Sequence, residues 1–206
     1  RDNAEVAAFL SFRPEKVDSY ELGYKGYLFD RALYIAVAGF HANYTDVQIP
    51  GSVACTVANL PSFCGVVSNA GRATFNGAEL EFNARLGEDM LSAGDRLSLL
   101  GAVGYIDAQY KSYITNIASV PTDVAAFRQV QNTPRWTFSE TLAYRTPVGD
   151  GMLNMNATLS YRSKTYQFEV PNPYIDQRGY SLLHASLTYS APAARWTIGL
   201  YATNHT

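Results

Sequence analysis

The side chains of this chain that could do chemistry fall into three groups. Glu21 and Lys25 in one segment, and Glu79, Glu81 and Arg85 in another, recur at even spacing, which puts each set on one face of a strand. Such sets suit salt bridges and polar lining more than proton transfer. Aromatic and Arg residues gather in two stretches between strands, Tyr113, Phe127 and Arg128 in one, and Tyr166, Phe168, Tyr174 and Arg178 in the other. Rings mixed with guanidinium groups suit bulky, often anionic ligands, with loop packing as each residue's competing role. The three His residues, His41, His184 and His205, are isolated in the sequence. His41 and His184 fall on the polar faces of their segments, where lining a polar surface is the plain reading and metal binding the sharper one. There is no paired-His metal motif, phosphate loop or Gly-x-Ser-x-Gly, so neither an enzyme nor a cofactor is expected.

Cys55 and Cys64 stand close together in a segment rich in Gly, Pro, Ser and Asn. They read as a local, loop-closing disulfide contributing about 2–3 kcal/mol in an oxidising compartment, with two free thiols as the alternative. A net charge of -2 gives no electrostatic case for nucleic acid. Asn43-Tyr-Thr45 and Asn156-Ala-Thr158 match a glycosylation pattern but lie inside strand segments. No apolar run approaches the ~20 residues of a spanning helix, a test that is blind to spanning strands of about 9–11 residues.

Strands are what must position these groups. From Met152 to Arg162, Leu153, Met155, Ala157, Leu159 and Tyr161 alternate with Asn154, Asn156, Thr158, Ser160 and Arg162. This period of two fits a strand and not a helix. Similar alternation marks Ser19–Leu28, Leu33–Val47, Thr74–Leu86, Leu97–Tyr105, Trp136–Tyr144, Ser181–Tyr189 and a last strand through Trp196 and Ala202. In Leu33–Val47 the row Tyr34, Ala36, Ala38, Phe40, Ala42 and Tyr44 reads as the apolar face. Tyr34 and Tyr44 are then roughly 33 Å apart along the strand, or roughly 24 Å in height at a 40–45° tilt, the span of a lipid-facing band between aromatic girdles. The 15 Tyr suit such rims, where one end of the ring is dry and the other wet.

The connections alternate short and long, the long ones covering residues 48–72, 111–132 and 164–179. Up-and-down transmembrane barrels have short periplasmic turns and long outer loops, whereas Greek-key sandwiches need no such regularity. The expected fold is therefore all-β, an antiparallel up-and-down transmembrane β-barrel of which about eight consecutive strands are present. Glu140 resists, falling on the face of Phe138 and Leu142. A bulge, a partner or a different facing would each account for it.

Several segments resemble the β-barrel domain of TonB-dependent outer-membrane receptors. Pro14-Glu15 followed by Tyr20, Glu21, Leu22, Gly23 and Lys25 is similar to one family strand, and Asn69, Ala70, Gly71, Gly77, Glu79 and Glu81 to another. Tyr105, Asp107, Ala108 and Tyr110, then Thr133–Trp136, resemble two more, and Tyr201, Asn204 and Thr206 a terminal segment, with His205 where Leu is usual. The resemblance implies a roughly 22-stranded barrel closed by a plug, energised by the TonB protein through the plug region, in the outer membrane. A scarce or bulky substrate such as a ferric siderophore would bind its outer face. Cobalamin, haem and glycans are imported by similar barrels. Residues 1–206 are then expected to be a partial barrel domain, roughly strands 14 to 21, without the plug or the final strand. Glu21, Lys25, Glu79, Glu81 and Arg85 would face the lumen. A complete eight-stranded barrel serving as an anchor or adhesion protein, and a soluble β-sandwich, are the other readings.

Overall fold

The computed structural model describes residues 12–57, 60–117 and 120–203, with the side chains of 51–57, 61, 63 and 70 set aside. The strands are β1 (Lys16–Leu28), β2 (Leu33–Val57), β3 (Leu60–Glu88), β4 (Arg96–Ile117), β5 (Val120–Asp123), β6 (Trp136–Val148), β7 (Gly151–Arg162), β8 (Tyr180–Ser190) and β9 (Thr197–Thr203). They form one antiparallel sheet in the order β1-β2-β3-β4-β6-β7-β8-β9, with short β5 folded back on the outer end of β4. The sheet is open, since β1 and β9 do not pair, so the described chain does not close as an eight-stranded barrel.

Register defines the two faces, because residues directly opposite each other point the same way. One face carries Leu22, Val37, Leu80, Val103, Phe138 and Tyr161 in one cross-strand vicinity and Leu142, Ala157 and Ala185 in another. The other carries Glu79, Glu81 and Asn83 against Gly104, Ala102 and Leu100, continuing through Ser139 and Thr141 to Ser160 and Thr158. Two hollows of about 720 and 840 Å3 lie against this polar face, spanning β1 to β6. Leu22, Ile198 and Leu200 on the apolar face stand open. A sheet that exposes its apolar side and has hollows against its polar side is a soluble sandwich turned inside out.

Four expectations need correction. Residues 111–132 are not one loop, since β4 runs on to Ile117 and pairs with β5, Ile114 opposite Asp123. Tyr34, Ala36, Ala38 and Phe40 lie on the polar face, opposite Asn83, Glu81, Glu79 and Gly77, so they do not measure a lipid band. Leu33, Ile35 and Val37 occupy the apolar face instead. Both sides of this strand are apolar, so alternation alone misassigned it; the small Ala36 and Ala38 leave room beside the two carboxylates. His41 lies with Tyr20 and Asn76 on the continuation of the apolar face. Its ring bonds Asn76 (2.7 Å) and Asn43 (2.9 Å), away from the hollows. Finally, residues 48–72 are not a loop. Pairing continues from Val47/Gly71 out to Val57/Leu60, so β2 and β3 form one long hairpin projecting past their neighbours. Pro50 and Pro61 fit there because β1 ends opposite Thr45 and β4 pairing stops at Gly71, leaving each limb an edge on which a missing N–H is tolerated.

Bulges mark where the hairpin leaves the sheet, at Asp46 (φ 56°) in β2 and at Lys111 in β4, opposite the Arg72–Ala73 step of β3. Another displaces Leu86 near the opposite end. Asn69 brackets the first: its side chain accepts Arg13 N–H (2.6 Å) and donates to Arg13 C=O (2.8 Å) and Asp46 C=O (2.7 Å).

At the tight-turn end, residues 89–95 are organised by Asp95, only 2% exposed. Its carboxylate accepts N–H groups from Met90 (2.8 Å), Leu91 (2.8 Å) and Ser92 (3.0 Å) and the Tyr144 hydroxyl (2.8 Å). Burial pushes its pKa up, but these four donors outweigh it and hold the group at about 2. Because that lies below the ordinary value of about 3.9, the carboxylate's stabilisation is complete above about pH 4 and lost as pH falls toward 2. Asp95→Asn is expected to flatten the loss of stability over this window, measured as acid unfolding in detergent micelles; an unchanged profile would assign the acid response elsewhere.

Candidate functional site

The polar side chains of the wall come together across β1–β4. Glu21, Lys25, Glu79 and Glu81 line one hollow, and Glu81 and Arg85 line the next. Strand pleat and register explain the grouping: Gly23 opposite Ala38 and Ala38 opposite Glu79 leave free volume over which the longer side chains extend. Arg85 meets Glu88 at 3.5 Å, and Glu88 also pairs with Arg96 at 2.6 Å. Among the described residues, the side chains of Glu21, Lys25, Glu79 and Glu81 have no ion pair or hydrogen bond. The wall thus offers three unpaired carboxylates and one ammonium to whatever occupies the hollow. His184 lies on this same polar face, opposite Thr158 and Thr203 and apart from the carboxylates. Among the described residues no group of His, Cys, Asp and Glu could hold a metal ion.

The aromatic and Arg residues gather at the other, long-loop end. A small core of Ile49, Tyr113 and Val124, with Val47, Tyr110 and Ala125 against it, joins the projecting hairpin to β4 and the β5 region. Tyr113 is 8% exposed, its ring edge-on to Tyr110 at 5.1 Å and under the Arg128 guanidinium at 5.4 Å. Of the loop residues singled out in the sequence it is therefore a packing residue in this conformation. Burial first, then the nearby Glu169, pushes Tyr110 to about 12 and raises Tyr113. Asp123 accepts N–H groups from Ala125 and Tyr113, both at 3.0 Å, which hold its pKa below the ordinary carboxylate range.

Two long connections are tied into one surface. Gln129 N–H donates to Glu169 C=O (2.8 Å) and Asn132 N–H to Tyr166 C=O (2.9 Å), which brings the 128–132 stretch against 166–169. The second connection is closed on itself by Thr165 and Gln177, which exchange both backbone hydrogen bonds, and by Lys164, 3.4 Å from buried Asp176 and 4.4 Å over the Tyr166 ring. Phe127 (72% exposed), Phe168 and Tyr174 (94% exposed) stand open on this surface, as does Arg178. The structure therefore brings Phe127 and Arg128 toward the Tyr166–Glu169 segment and leaves Tyr174 and Arg178 further round the second connection.

Cys64 is disulfide-bonded; the side chain of Cys55 lies outside the described residues, as do Asn204, His205 and Thr206. Sequence patterns give no cue to Ile49 and Val124, which sit in stretches of loop-like composition, nor to Asp95, whose role appears only once three amide groups converge on it. Asn69 carried a cue in the Asn-Ala-Gly segment without revealing what it binds.

A family model described as "TonB dependent receptor-like, beta-barrel" matches residues 3–204. No curated protein matches, and no solved structure matches.

Proposed function

Because this chain belongs to the TonB-dependent receptor-like β-barrel family, whose barrels stand in the outer membrane as receptors and transporters, we propose that it builds part of the wall of a receptor importing a ferric siderophore. The whole chain serves as one partial barrel domain, to which the rest of the receptor contributes a plug and further strands. The apolar face lies against lipid and the polar face lines the lumen, with the tight turns periplasmic and the long connections outside.

Exposed Phe127, Phe168 and Tyr174, with Arg128 and Arg178, form the outer contact surface for a bulky anionic substrate, as aromatic faces and guanidinium groups bind such ligands. The observation that supports this reading is the hydrogen-bonded junction of the 128–132 and 166–169 stretches, beside which the rings of Phe127 and Phe168 stand exposed. Glu21, Glu79 and Glu81 await basic partners on the plug, with Lys25 and Arg85 completing the polar wall. Energy arrives from the TonB protein through the plug region.

A deletion strain under iron limitation is expected to lose growth on one ferric siderophore and to regain it when the gene is restored. Exchanging Phe168 and Tyr174 together for Ala should lower that uptake about tenfold or more, as loss of two interface aromatics does, without changing receptor abundance. Normal growth of the deletion strain on every siderophore, with a defect on cobalamin, haem or a glycan, would replace the substrate.

A further inference from the structure

Glu140 lies inside the apolar belt. It pairs across with Gly101 on β4 and Leu159 on β7, and Phe138 and Leu142 flank it on its own strand. The β6–β7 register runs unbroken from Thr137/Arg162 to Val148/Gly151, so no bulge re-aims it. Trp136 and Tyr144, which mark the two rims of this strand, are each four residues away. That is about 13 Å along the strand and about 10 Å in depth at a 40–45° tilt. A glutamate side chain spans about 5 Å, so its carboxylate reaches water at neither rim.

Nothing in the described chain answers this charge. The Glu140 side chain makes no ion pair or hydrogen bond among the described residues. Lys25, Arg85, Arg145 and Arg162 all point to the polar face. Strands β4 and β7 cover both sides of β6, so no other strand of the barrel lies beside it. Ionisable groups inside a membrane are costly and are normally paired. A second feature sits in the same row. A Cβ added to Gly101 would fall 2.6 Å from Phe82 Cζ and 3.2 Å from Glu140 Cγ, so ring and carboxylate stem converge over the bare glycine. An aromatic ring beside a carboxylate is a pair of groups that both attract a cation.

We propose that the patch formed by Phe82, Gly101, Glu140 and Leu159 is a docking site within the membrane for another membrane-spanning polypeptide, which presents a Lys or Arg side chain at mid-depth. Charge complementarity selects this partner. A second copy of the chain does not supply it, because the described apolar belt holds no Lys or Arg at that depth and two-fold contact would set carboxylate against carboxylate. Lipid amines stay at the headgroup level, about 10 Å away.

The test uses the full receptor in its own outer membrane, with a photo-reactive benzoylphenylalanine at Leu142 or, as a control facing elsewhere in the belt, at Leu187. The Leu142 probe is expected to give a protein adduct whose cross-linked membrane segment, sequenced by mass spectrometry, contains Lys or Arg. That adduct should fall about tenfold in Glu140→Gln and in Glu140→Leu, as loss of a desolvated charge pair does, while heat-modifiable folding of both variants is retained. Exchanging the partner's cation for Glu should restore the adduct in Glu140→Lys. Adducts with lipid alone, with a second copy of the receptor, or with a segment lacking a cation would overturn the proposal, as would an adduct undiminished in Glu140→Gln.

Discussion

An Ala157→Arg receptor is expected to accumulate as unassembled, heat-sensitive chain, whereas Asn156→Arg should reach the outer membrane in near-normal amount. The two positions are adjacent in sequence and opposite in solvent. Ala157 sits between Leu142 and Ala185 on the apolar face, four residues from both Leu153 and Tyr161. Arg at the bilayer midplane costs about 2–4 kcal/mol on a barrel's lipid face, which is roughly 30- to 700-fold in the assembled fraction. Asn156 faces Ala143 and Ser186 on the polar side, and its replacement removes a 3.3 Å hydrogen bond to the Ser186 hydroxyl. Heat-modifiable mobility and outer-membrane yield measure both. Equal tolerance at the two sites would reverse every facing assigned to β6 through β9.

Tyr113→Ala is expected to loosen the outer surface while leaving the wall intact. The ring is buried among Ile49, Val124 and Tyr110, and truncating a buried aromatic costs about 3 kcal/mol or more. The loss is local, because the core it belongs to lies beyond the bulges at Asp46 and Lys111. Hydrogen exchange should accelerate by roughly 100-fold across residues 113–128, following the same energy, with β6–β8 protection unchanged. Phe127→Ala provides the contrast, since its 72% exposed ring holds little of the fold together. It should leave exchange unaltered and affect only substrate uptake. A Tyr113→Ala receptor with unchanged exchange would mean that the hairpin and the β5 region are held by other contacts.

How much of this could be read beforehand depended on whether a strand's two faces differ. In β7, Leu153 to Tyr161 and Asn154 to Arg162 contrast at every step, and register agrees with the alternation. In β2, Leu33, Ile35 and Val37 on one side face a row of Ala and aromatic residues on the other, so pattern carries almost no information. Only pairing with Glu79 and Glu81 orients it. The projecting hairpin was hidden for a different reason. Pro50, Gly51 and Pro61 are loop signals in a central strand but are compatible with an edge, and edges are defined by where neighbouring strands stop. The loop residues were recognisable by type, yet whether Tyr113 or Phe127 is buried depends on Ile49, more than sixty positions earlier in the chain. Glu140 stood out as an anomaly in the pattern, and the unbroken register gives it a definite place.

The strand order has a consequence for how such a wall can change length. Apart from the short β5, each strand lies beside its predecessor and successor in the chain. Removing two consecutive strands, such as β7 and β8, would leave the up-and-down sense of those remaining unaltered and every tight turn on its original side. Removing one would invert all that follow, sending loops to the side of the turns. The hairpin is thus the smallest unit by which this wall can grow or shrink without exchanging its inner and outer ends, which accords with the even strand numbers of bacterial barrels.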